Sequence, residues 1–162
     1  ILITKRIMLN EISKANAENT FAELLRMEVI PIVNENDPIS TDQIQEENFG
    51  DNDTLSANVA EMVDADLLIL LSDIDGLYTD DPRKNQNAKF ISYVDSIDDH
   101  LEAMAKGADT TFGTGGMATK IAAAKLAGSA GVDMVIANGN RIGNINRILE
   151  GEEVGTLFKA DK

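Results

Sequence analysis

Leu67-Leu68-Ile69-Leu70-Leu71-Ser72-Asp73 is an unbroken apolar run that ends abruptly in polar side chains. A run of this length, with Asp64-Ala65-Asp66 before it and a polar loop with Asp-Gly and Asp-Pro turn signals behind it, predicts a strand buried on both faces, the central strand of a parallel sheet. On its amino side, residues 54–63 place Leu55, Val59, Met62 and Val63 at helical spacing, and Asp51 and Asp53 stand where N-cap residues belong. Further upstream, residues 12–27 carry Ala15, Ala17, Phe21, Leu24 and Leu25 at helical spacing and predict an amphipathic helix. Val29-Ile30-Pro31-Ile32-Val33 then predicts a second strand, apolar on both faces, in which Pro31 removes one ladder donor.

On the carboxyl side of the apolar run, residues 98–106 predict a short helix ended by Gly107, and an Ala-rich helix follows a glycine loop. Asp133-Met134-Val135-Ile136-Ala137 predicts a third strand, with Asn138-Gly139 at its end. A helix over 144–149 and a short strand over 155–158 close the chain. Strands and helices alternate without an internal repeat or a low-complexity linker, which predicts one α/β domain with a mainly parallel sheet and helices on both faces, a three-layer αβα sandwich.

The 162 residues contain 14 Lys and Arg against 28 Asp and Glu, a net charge of −14. Such an excess argues against nucleic acid and anionic membrane as partners, and no apolar run approaches the length of a membrane span. The chain has no cysteine, which excludes disulfides and thiolate metal sites and fits a cytoplasmic protein. Its one histidine, His100, lies among acids and is expected to be a solvated helix residue. An acidic protein that binds a phosphorylated ligand must gather its few cations at one place or recruit a divalent ion, for which magnesium is the natural candidate.

One segment has that composition. Thr110-Thr111-Phe112-Gly113-Thr114-Gly115-Gly116-Met117-Ala118-Thr119-Lys120 runs from a glycine loop into the Ala-rich helix. The first amides of a helix lack internal partners and carry the positive end of its dipole, and Lys120 adds a full charge one turn in, so the segment outlines a phosphate site. It is not a Walker loop, because Thr119 precedes Lys120 where glycine is required and Ile121 follows it. A dinucleotide fingerprint fits loosely, but no strand leads into the loop. A flexible glycine turn beside an ordinary surface lysine is the competing explanation of this segment taken alone.

Polar clusters follow three of the strands: Asn34-Glu35-Asn36-Asp37 after the second, Ser72-Asp73 after the apolar run, Asn138-Gly139 after the third. Ligands of open α/β sheets bind at carboxyl strand ends, so these clusters are expected to meet at one sheet edge. Together with Phe49-Gly50-Asp51-Asn52-Asp53, Gly76-Leu77-Tyr78-Thr79, Asp81-Pro82-Arg83 and the glycine loop, they resemble the glutamate 5-kinase branch of the amino acid kinase family, whose carbamate kinase-like fold is the sandwich predicted above. The Asn-Glu-Asn-Asp and Gly-Asp-Asn-Asp pair points to that branch; a strand ending in Ser-Asp or Thr-Asp is shared with acetylglutamate, carbamate, aspartate and uridylate kinases.

The resemblance implies ATP-dependent phosphorylation of the side-chain carboxylate of L-glutamate, the first step of proline biosynthesis, with ATP and Mg²⁺ required. It implies that Asp37 and Asn52 hold glutamate with Asn34 close by, and that Ser72 and Asp73 lie at the nucleotide. Thr114, Gly115, Gly116, Met117, Ala118, Thr119 and Lys120 would wrap its phosphates. Lys120 and Asp53 would be the catalytic pair, Asp53 orienting lysine, and Asp51 would help hold magnesium. It also implies a homo-oligomer. Family members begin with a strand and a glycine-rich loop bearing a second lysine, and nothing before Ile1 supplies them. The chain is therefore expected to be the C-terminal two thirds of a kinase domain, without the family's optional C-terminal RNA-modification-type domain. A carboxylate kinase of acetylglutamate type, and a nucleotide- or amino-acid-binding piece without catalysis, are the alternatives.

Overall fold

The computed structural model describes residues 1–36, 49–80, 82, 84–107 and 116–161. In chain order the elements are β1 (Leu2–Ile3), α1 (Arg6–Leu9), α2 (Glu11–Arg26), β2 (Asn34–Glu35), α3 (Asn52–Met62), β3 (Leu67–Ser72), β4 (Leu77–Tyr78), β5 (Phe90–Ile91), β6 (Tyr93–Val94), α4 (Asp99–Gly107), α5 (Met117–Ser129), β7 (Asp133–Asn138), α6 (Asn144–Leu149) and β8 (Thr156–Phe158). The main sheet runs β3-β7-β8-β6, with β3 parallel to β7, β6 parallel to β8, and β7 antiparallel to β8. β1 and β2 form a separate parallel pair, and β4 and β5 an antiparallel one. The architecture is α/β with a mainly parallel sheet, as the alternation of elements predicts.

Alternation of side chains explains where the core lies. Leu70 on β3, Met134 and Ile136 on β7, and Phe158 on β8 occupy one face of the sheet in register and join one buried cluster with residues of α3 and α5. Each such side chain contributes about 1.5–3 kcal/mol by leaving water. α3 and α5 add Ala57, Ala60, Ala123, Ala124 and Ala127 to the same cluster, small residues that let helix backbones approach one another. α5 packs on β7 and against α3, and α3 packs on β3. The amino ends of α3 and α5 are thereby brought together.

Two expectations require correction. Among the described residues the apolar run around Leu70 is not central: β3 stands at the end of the four-stranded order and pairs with β7 alone. An apolar pattern reports which faces are covered; it does not report whether both edges are hydrogen-bonded, and Leu71 is 44% exposed here. The segment 29–33 is not a strand either. It runs beside the start of the chain, with the Ile1 amine donating to the Ile32 carbonyl at 2.7 Å, but the ladder begins only at Asn34, whose amide donates to the Ile1 carbonyl. Pro31 has no amide to donate, and Ile30 and Ile32 are 87% and 84% exposed, so the two-sided burial inferred from their chemistry is not realised.

β8 is tied to the β4–β5 hairpin through Thr156, which is fully buried. Its hydroxyl donates to the Ile91 carbonyl at 2.6 Å and accepts from the Leu77 amide at 2.7 Å. Thr156→Val keeps the shape and deletes both bonds, leaving a buried amide and a partly buried carbonyl without this partner, and should cost about 2–4 kcal/mol. Thr156→Ser should recover most of that loss. Denaturant unfolding of the two variants measures the difference, and equal stability of the two would refute the role given to the hydroxyl.

Candidate functional site

The centre of the site is an ion pair. Lys120, in the first turn of α5, places Nζ 3.0 Å from Oδ2 of Asp53, in the first turn of α3. The two side chains are only 9% and 17% exposed, so water competes weakly for them. Thr119, the residue before Lys120, brings its hydroxyl 2.9 Å from the same carboxylate oxygen. Glycine-loop and Gly-Asp-Asn-Asp residues, 66 and 67 positions apart in the chain, are thus joined directly.

Both helices start here for local reasons. Asp51 caps α3: its Oδ1 accepts from the Thr54 amide at 2.7 Å and its Oδ2 from the Thr54 hydroxyl at 3.1 Å. Asp51 caps the helix in this geometry, each of its oxygens accepting one hydrogen bond. Among the described residues no cluster of three or more His, Asp or Glu could hold a metal ion. α5 begins at Gly116, which has an extended backbone and no side chain to cap the helix, so the amides of Met117 and Ala118 face outward beside Lys120. The free amides of α5 and the Lys120 ammonium are the positive groups at this point, and the Asp51 and Asp53 carboxylates lie beside them.

Asn34 and Asn52 also share a feature. A cleft of about 430 Å³ opens between β2 and β3 over α3, and both asparagines line it together with Val33, Leu55, Leu67 and Leu68. Asn52 opens α3 immediately before Asp53, but neither Asp53 nor Lys120 lines the cleft. Glu35, to which the Asn-Glu-Asn-Asp motif assigns no role of its own, receives the Phe49 amide on Oε1 at 3.1 Å and ties β2 to the approach to α3. Its place in the polar burst at the end of β2 was the available signal.

Ser72 and Asp73 close β3, with the Ser72 hydroxyl donating to Asp73 Oδ1 at 3.2 Å. β7 sets Asn138 directly beside Ser72, and the Asn138 amide nitrogen donates to Asp75 Oδ1 at 2.9 Å. This second polar group lies at the carboxyl ends of two parallel strands, as expected, but no hydrogen bond among the described residues joins it to Lys120. β2 belongs to a different sheet, so the clusters do not share one sheet edge. Asp37, Thr114 and Gly115 lie outside the described residues.

A mainly parallel sheet whose packed helices bring their amino ends together at a buried lysine and a partly buried carboxylate defines an α/β protein with polar groups that can receive an anionic ligand. The chain belongs to the amino acid kinase family, whose profile matches residues 2–138. It is 58% identical over 147 residues to the glutamate 5-kinase of Carboxydothermus hydrogenoformans, a match covering 91% of this chain and 38% of that protein. It is 52% identical over 162 residues to the glutamate 5-kinase of Clostridium tetani, covering all of this chain and 60% of that protein. The chain thus spans between about two fifths and three fifths of these curated relatives. Among solved structures, the isopentenyl phosphate kinase of T. acidophilum matches 87% of this chain and 52% of its own with a TM-score of 0.59 at 18% identity. The UMP kinase of Bacillus anthracis matches 92% and 52% with a TM-score of 0.58 at 20% identity. These two likenesses concern the fold.

Proposed function

We propose that the protein containing this chain transfers the γ-phosphoryl group of ATP to the side-chain carboxylate of L-glutamate, giving ADP and glutamate 5-phosphate. The observation that carries this reading is the Lys120–Asp53 pair at the meeting point of α3 and α5. High identity to glutamate 5-kinases along the chain supports the choice of substrate.

The chemistry asks little of the protein beyond placement and charge. A carboxylate is already a nucleophile, so one of its oxygens forms the new O–P bond while the bond from phosphorus to the β,γ-bridging oxygen breaks, and no proton moves. The barrier lies in bringing two anions together. Lys120 holds a positive charge at the transferring group, and Asp53 fixes the direction of that charge. The amides of Met117 and Ala118, opening α5 after Gly116, supply fixed dipoles to the phosphates. Asn34 and Asn52, with Asp37, hold glutamate at the cleft, and Ser72 and Asp73 stand at the nucleotide. Magnesium, when bound, neutralises charge on the β- and γ-phosphates. Asp51 would help hold the ion.

The test is ADP release by the full-length protein with ATP, Mg²⁺ and L-glutamate, with the acyl phosphate trapped by hydroxylamine. Glutamate-dependent hydroxamate is expected, and N-acetylglutamate should not replace glutamate. Release that ignores glutamate, or that prefers N-acetylglutamate, would overturn the assignment.

A further inference from the structure

The carboxylate of Asp53 holds more than a lysine. Its Oδ2 lies 3.0 Å from Lys120 Nζ and 2.9 Å from Thr119 Oγ1, so a single oxygen receives two donors from consecutive residues of α5. The Thr119 hydroxyl also lies 2.7 Å from the Gly116 carbonyl oxygen. A hydroxyl has one proton, and both neighbours accept, so that proton is shared between protein groups. Donation from Thr119 to a nucleotide would require both bonds to be given up.

From this geometry we infer that Thr119 is a positioning residue: its hydroxyl fastens the Asp53 carboxylate to the first turn of α5 and thereby sets the direction in which Lys120 presents its ammonium. An ion pair alone is poorly directional, because a carboxylate turns about its terminal bond and a lysine stem has four rotatable bonds. A second donor on the same oxygen stops the carboxylate turning. The Gly116 carbonyl competes for the same proton, so the hydroxyl is kept between the first turn of α5 and the carboxylate of α3, and it is the share donated to Asp53 that ties the carboxylate and the lysine into one unit. The kinetic consequence rests on the activity proposed above; the geometric one does not.

The experiment compares Thr119→Val and Thr119→Ser in the full-length protein, alone and with Asp53→Asn. Valine should lower kcat about tenfold with KM for ATP and for glutamate changed less than about twofold, and serine should restore kcat to within about threefold. With Asp53→Asn in place, Thr119→Val should add less than about twofold, because the two groups act as one unit. A raised KM for ATP with kcat retained, a serine variant as impaired as the valine one, or fully multiplicative losses in the double variant would each overturn the inference. A crystal structure of Thr119→Val gives an answer independent of turnover: the Lys120–Asp53 separation should open beyond about 4 Å or become multiple, and an unchanged pair would refute the role. If the unmodified protein releases no ADP with any acceptor, the activity proposal falls and this structural result alone decides Thr119.

Discussion

Lys120→Ala is expected to lower turnover by about a thousandfold or more while the protein stays folded. The reason is the kind of barrier involved. Two anions must approach, and the ammonium of Lys120 is the one full positive charge that the described residues place at the amino end of α5, within a side-chain slot only 9% exposed. Charge stabilisation in such a slot is far stronger than in water. The structural cost is smaller. Truncation leaves Asp53 without its cation, yet Asp53 is 17% exposed and keeps the Thr119 hydroxyl as a donor, so about 1–3 kcal/mol of stability should be lost. Lys120→Arg should not restore activity, because a planar guanidinium is bulkier and cannot occupy the position of a compact ammonium. Steady-state kinetics beside circular dichroism makes the comparison, and near-normal turnover in a folded Lys120→Ala protein would remove Lys120 from the site.

The same pair shows what the sequence makes legible. The Gly-Asp-Asn-Asp and glycine-loop motifs are contiguous, so their chemistry is visible in the chain, and Asp53 of the first meets Thr119 and Lys120 just after the second. The division of labour between Asp51 and Asp53 is not visible. Both are acids two residues apart at a helix start, and only a partner 67 positions away, Lys120, distinguishes an ion-paired carboxylate from the capping one. Helices were legible for a related reason: α2, α3 and α6 lie within a residue or two of their predicted bounds because helical hydrogen bonds and caps are local. Strands depend on neighbours. Residues 29–33 have strand chemistry, but their neighbour β1 is only Leu2–Ile3 and Pro31 interrupts the ladder, so pairing settles on Asn34–Glu35. The hairpin of β4 and β5 escaped notice because two-residue strands separated by a long polar loop leave no periodic signal.

Gly155→Ala should be strongly damaging, costing about 3–5 kcal/mol, a large part of the stability of an ordinary domain. Gly155 has φ +77°, a left-handed conformation that costs an alanine about 1 kcal/mol. The remainder is steric. A Cβ at this position would overlap the backbone carbonyl of Ile136 and press on the side chain of Ala137, both in β7. Backbone cannot turn aside as a side chain can, so relief requires β8 to move off β7 just where Ile136 pairs with Thr156. That movement would also pull Thr156 from Leu77 and Ile91. Gly151 supplies the control: its φ is +81°, nearly the same, but nothing lies within 4 Å of the corresponding Cβ. Gly151→Ala should therefore lose only the conformational part, about 1 kcal/mol. Denaturant unfolding of the two variants separates the contributions, and if they prove equally stable the close approach of β8 to β7 at Ile136 is not what requires glycine at 155.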